Sequence, residues 1–143
     1  MKFLSFRYND KELYGVKVKR EESAWDLIKV LEDFDNTDKI PQTLREAIEI
    51  YGVSFIEKVR KVLKLVEESS NANNYKVPFD KIIWRSPITR TPKNILCVGH
   101  NYEAHVNELG DELAKTPKDV LIFTKATTAL GGNNEVVPSH KDI

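Results

Sequence analysis

Two side chains in this sequence are spaced for proton chemistry. His105 and Glu108 stand three apart in "YEAHVNEL", so a helix there would put both on one face. A carboxylate beside an imidazole favours the protonated ring and fixes its orientation. That is how a histidine becomes a general base for water. By spacing alone the pair is weak, because His-x-x-Glu is common on solvated helix faces. Just before it lie His100, Asn101 and Tyr102, either turn formers or polar groups aimed into a pocket. Lys125 closes "VLIFTK", either an ordinary strand-end lysine or an ammonium facing an anionic ligand.

These residues need a frame. The apolar run Ile95-Leu96-Cys97-Val98 reads as a strand that delivers Gly99 and the polar stretch at its end, where functional groups collect. The runs "KIIW" at 81, "VLIFTK" at 120 and "EVVP" at 135 read as further strands, separated by prolines and by Gly131-Gly132.

The first half of the chain has a different character. Residues 2–19 predict a hairpin turning at Asn9-Asp10-Lys11. Ser23 predicts an N-cap, with Trp25, Ile28, Leu31 and Phe34 following at helical spacing. Pro41 and Thr43 open a second helix that Gly52 ends. A third runs from about Ser54 to Glu68. Phe55, Ile56, Val59, Val62, Leu63 and Val66 form its apolar stripe, and the basic residues between Lys58 and Lys64 form its wet face. "SSNANN" marks a loop. The expected organisation is an α+β domain over 1–75, a linker or first strand over 76–92, and a β-rich unit over 93–143.

The chain has 143 residues, 41% hydrophobic and 31% charged, a globular composition. Lys plus Arg and Asp plus Glu each number 22, and this balance argues against nucleic-acid or membrane-surface partners. The single cysteine, Cys97, cannot form an internal disulfide. Its apolar neighbours predict a buried, inert thiol, and the reading is a cytoplasmic protein. No apolar run is long enough to span a bilayer.

Other motifs fail. Asp33, Asp35 and Asp38 do not form a calcium loop, because Asp38 stands where glycine is required and Leu44 where glutamate is. They read as a solvated acidic loop. There is no HExxH, GxSxG, Walker or GxGxxG motif.

Residues 92–138 resemble the start of the fumarylacetoacetate hydrolase family. The segments "PKNILCVGHNYEAHVNELG" and "PKDVLIFTKATTALGGNNEVVPSH" match the family's order. That order is an apolar strand, Gly-x-Asn-Tyr-x-x-His-x-x-Glu, a Pro-flanked strand ending in Lys, a small-residue loop, and a strand closing in Pro. The leading unit more loosely resembles the N-terminal domain of bacterial members.

The resemblance implies a mixed β-roll catalytic domain, commonly a homodimer, that holds Mg2+ or Mn2+. The implied substrates are small dicarbonyls or α-keto acids whose C–C bond is hydrolysed, with decarboxylases and isomerases among the relatives. His105 then matches the family histidine and Glu108 its partner, with His100, Asn101, Tyr102 and Lys125 on the substrate side. His100 stands where many members place Arg or Lys.

The family's metal ligands, a Glu-x-Glu pair and a later aspartate, follow the closing Pro strand, and this sequence contains no Glu-x-Glu. The expectation is a truncated member, with metal ligands none in this piece, inactive alone. The alternative is a non-catalytic remnant or interaction module of the same fold.

Overall fold

The computed structural model describes residues 1–102, 104 and 120–137. The chain is mixed α+β and divides into two compact units. One comprises Met1–Thr89 with the described residues from Gly131 on, and the other is Arg90–Leu130.

The first unit is built on a five-stranded antiparallel sheet and three helices. Strands β1 (Phe3–Tyr8) and β2 (Lys11–Lys17) form the predicted hairpin, with Tyr8 opposite Lys11. Asn9 and Asp10 both have positive φ, 48° and 62°. This is the two-residue turn whose twist matches the flanking strands, and Asn and Asp tolerate it well. Strand β3 (Ser23–Asp26) pairs with β2.

The helices are α1 (Leu27–Phe34), α2 (Leu44–Tyr51) and α3 (Ser54–Glu68). Strands β4 (Lys76–Pro78) and β5 (Ile83–Arg85) then take the two edges, giving the order β4-β3-β2-β1-β5. Part of the stretch expected to be a linker or first strand, 76–92, belongs to this sheet.

Ser23 is not a helix cap. It begins β3, and Asp26 caps α1 by accepting from the Ile28 and Lys29 N–H groups. The reason is pairing. Residues 23–26 lie between β2 and β4, and those ladder bonds outweigh the local helix signal at Trp25. The α2 signals do operate: Thr43 accepts from the Glu46 N–H, and the Gly52 N–H donates to the Ile48 carbonyl.

Both faces of the sheet are apolar. On one, Tyr14, Val16 and Trp25 pack with Leu27, Val30 and Leu31 of α1 and with Phe55, Val59, Val62, Leu63 and Val66 of α3. Phe55 is stacked by Tyr51 at 5.8 Å and by Phe3 at 5.6 Å between ring centroids. On the other face Leu4, Phe6, Ala24 and Val77 form a smaller cluster, joined by Tyr8, Leu13, Phe79, Ile82 and Trp84.

The acidic loop is less solvated than its composition suggests. Asp35 pairs with Lys58 at 2.7 Å and accepts from the Thr37 hydroxyl, while Asp33 accepts from the Tyr75 hydroxyl. Lys58 also lies 5.0 Å from the Tyr51 ring centroid. The loop after α1 is thereby tied to α3, and Lys58 leaves the wet face on which the other basic residues of that helix remain.

The described part of the second unit is an antiparallel ribbon of β6 (Ile95–Val98) and β7 (Ile122–Lys125). Cys97 is half-buried there, not buried as its neighbours suggested. Phe123 stands across from it, but a two-stranded ribbon has no second layer of its own to close over the thiol.

"EVVP" is a further correction. Glu135 to Val137 is irregular. Glu135 accepts from the Gly132 N–H and lies 3.5 Å from Arg85, and Val136 and Val137 are exposed. A β-type sequence without a strand to pair with does not form a ladder.

No helix among the described residues is long and apolar enough to cross a membrane.

Candidate functional site

The candidate site begins where β6 ends. Val98 is the last paired residue, opposite Ile122. The Gly99 N–H still donates to the Leu121 carbonyl at 2.8 Å, extending the contact by one residue. A β-carbon at position 99 would lie 2.8 Å from the Leu121 side chain, so glycine gives that leucine room.

The chain then bends. His100 has φ 50°, in the left-handed region, where histidine is more frequent than most residues. One left-handed residue directly after a strand turns the backbone out of the sheet plane. His100 is half-buried, while Asn101 and Tyr102 are exposed. The three predicted substrate-side residues are therefore brought together at one end of the ribbon, on the turn that leaves it.

Lys125 is not with them. In the register of the ribbon Lys125 faces Ile95, and Ile122 faces Val98. The lysine backbone thus lies at the opposite end of the ladder from His100. At about 3.4 Å per residue the three steps from Val98 to Ile95 already span roughly 10 Å. An extended lysine side chain covers part of that distance. Lys125 is exposed.

His105 and Glu108 lie outside the described residues. Among the described residues no group of three His, Cys, Asp or Glu side chains gathers where it could hold a metal ion.

The first unit contains ionisable groups that sequence reasoning did not read as a site. Asp26, the α1 cap, is held above the ordinary carboxylate range, because burial outweighs the two N–H groups that donate to it. Glu46 is held below its ordinary value, first by the Gln42 N–H donor and then by Lys39 at 3.0 Å.

Tyr14 is buried and its ionisation is pushed far up, by burial first and then by Glu46. Its hydroxyl has no protein hydrogen-bond partner among the described residues. These groups lie on the sheet and its helices, where they serve capping and packing. Asp26 also lines an open groove of about 660 Å³ with Tyr8, Lys11, Glu32 and Gln42.

The signal that could have revealed Asp26 as a cap is its position directly before Leu27. It is masked in the sequence by the equally good capping residue Ser23 three positions earlier.

No protein-family model matches the sequence. The chain is 45% identical over 144 residues to an uncharacterized protein of Staphylococcus aureus strain USA300. It has the same identity over the same length to uncharacterized proteins of the strains COL and MSSA476. Each alignment covers 100% of this chain and 46% of the relative. The chain spans about half the length of the curated relatives it matches.

Proposed function

We propose that the chain is the leading part of an enzyme of the fumarylacetoacetate hydrolase type. The full protein would be a cytoplasmic, metal-dependent hydrolase, decarboxylase or isomerase acting on small dicarbonyl or α-keto acids. The observation that carries this reading is the turn at Gly99 and His100. An apolar strand ends, the backbone bends at a left-handed histidine, and the polar run that resembles the family's catalytic stretch begins there. A site at the end of a strand is well placed to present side chains to a ligand. The relatives' greater length supports a catalytic domain larger than the part present in this sequence.

In this reading His105 accepts a proton from water while Glu108 holds the imidazole in orientation. The hydroxide formed adds to a substrate carbonyl carbon. Cleavage of the adjacent C–C bond leaves its electron pair on the departing fragment as an enolate, which is then protonated. His100, Asn101 and Tyr102 approach the substrate's polar end from the ribbon turn, and Lys125 supplies a positive charge from the other end. The type's divalent ion, Mg2+ or Mn2+, would supply Lewis-acid stabilisation of negative charge. The described residues gather no ligand set for it, so no step is assigned to it, and its ligands are proposed to lie in sequence outside this chain. A homodimer is part of the same proposal.

The test has two arms. Titrating this chain alone with Mg2+ or Mn2+ in a calorimeter should show no micromolar binding. The full-length Staphylococcus aureus relative should, with either metal, cleave an acylpyruvate or decarboxylate oxaloacetate. Replacing its histidine at the position aligned with His105 by alanine should lower kcat by about 10²–10⁴. Micromolar affinity in the isolated chain, or no loss of turnover in that variant, overturns the assignment.

A further inference from the structure

The β6–β7 ribbon carries apolar residues on both faces. Paired residues in an antiparallel ladder put their side chains on the same face, and successive residues alternate. Leu96 with Thr124 and Val98 with Ile122 therefore make one face, and Ile95 with Lys125 and Cys97 with Phe123 make the other. Leu96 is 74% exposed, Ile122 62%, Val98 53% and Phe123 43%.

An antiparallel pair that met water on one side would alternate apolar with polar residues. Apolar residues on both sides mark strands enclosed by two layers. A two-stranded ribbon is marginal by itself in water, so these strands need those layers to be stable. Among the described residues Leu96, Val98, Ile122 and Phe123 are exposed, while Ile95 and Cys97 are half-buried.

The length of the relatives indicates the occupant. They align with this chain throughout, ribbon included, at 45% identity, and more than half of each lies outside the alignment. A relative therefore aligns over these same strands on a chain with ample further sequence to cover them. We infer that both faces of the β6–β7 ribbon are the docking surface for the polypeptide that the relatives carry outside the shared region. Supplied separately, that polypeptide binds this chain and completes the second unit. The inference rests on the reading above that the second unit is part of a larger domain, and it specifies the strands through which completion occurs.

The experiment mixes the full 143-residue chain with a recombinant polypeptide comprising the Staphylococcus aureus relative outside the aligned 144 residues. Mass is read by light scattering during gel filtration, and exposed apolar surface by anilinonaphthalene sulfonate fluorescence. A complex holding the two polypeptides in equal numbers, one of each or two of each, with loss of dye fluorescence, is the expected result. Leu96→Asp on one face and Phe123→Asp on the other should each weaken binding at least tenfold.

Leu96→Thr and Ile122→Thr keep strand-forming side chains and should weaken it less. The unfolding midpoint of the first unit, followed by the emission of Trp25 and Trp84, should not change in any variant. No complex overturns the inference. So does a complex indifferent to all four substitutions, or a homodimer of this chain alone that already abolishes dye binding. A complex that forms as described but shows no turnover leaves the docking surface intact and defeats only the catalytic reading.

Discussion

Lys125 and His100 lie at opposite ends of one antiparallel ribbon. The lysine is paired with Ile95, and the histidine turns the chain away just past Val98. Sequence order alone hides this, because both residues end apolar runs and both read as strand-end polar groups. The antiparallel register separates them. A ligand touching both lies along the ribbon.

The first prediction concerns independence. Sites more than about 7–10 Å apart with no shared partner change free energies additively, within roughly 0.5 kcal/mol. His100→Ala and Lys125→Ala, made singly and together in the complex with the complementing polypeptide, should therefore show additive effects on substrate KM. A coupling energy above about 1 kcal/mol in that double-mutant cycle would contradict the register assigned to the ribbon.

The second concerns pH. Glu46 is held below the ordinary carboxylate pKa by the Gln42 N–H and by Lys39. The folded state thus favours its ionised form. The stability it contributes is complete above the unfolded value of about 4.3 and is lost as pH falls through the folded value.

Asp26 has the opposite sign. Burial raises its pKa, so the folded state binds that proton more tightly, and stability falls as pH rises from about 3.9 through the raised value. Asparagine caps helices as well as aspartate does and carries no charge to desolvate. At pH 7 Asp26→Asn should match or exceed the native stability, by up to about 1 kcal/mol, whereas Asp26→Ala should lose about 1 kcal/mol. Urea unfolding followed by tryptophan fluorescence reads both. An asparagine variant weaker than the alanine one would be incompatible with the capping role.

The third concerns a close backbone approach in the sheet. Gly15 sits in the middle of β2, opposite Leu4 on β1 and Asp26 on β3. A β-carbon there would collide with the Trp25 carbonyl oxygen and lie 3.2 Å from the Phe6 ring. Neither neighbour can yield, since one is backbone and the other is fully buried. Gly15→Ala should cost about 1–3 kcal/mol. It should also raise amide exchange along the β2–β3 pairing. Unchanged urea midpoint and exchange would show that β2 and β3 are not this close.

Local chemistry determined much of the first unit without any structure. The α3 stripe from Phe55 to Val66 repeats at the helical period, and its burial follows directly. Asn9 and Asp10 tolerate the positive φ their turn requires, and Thr43 and Gly52 bound α2 by bonds to residues three and four positions away. Each of these interactions is short-range, so the signal and its partner sit within one window of sequence.

What depended on distant partners was decided only by the tertiary structure. Ser23–Asp26 became a strand because β2 and β4 flank it, and the cap passed to Asp26. Lys76–Pro78 and Ile83–Arg85 joined the first sheet because its edges had unpaired backbone groups to offer. Val136 and Val137, with equally good strand chemistry, found no ladder and stayed irregular. The candidate site divides the same way. The polar turn after Val98 was legible from the apolar run before it, but the distance from His100 to Lys125 was not. Register is a property of two strands together, and neither strand's sequence contains it.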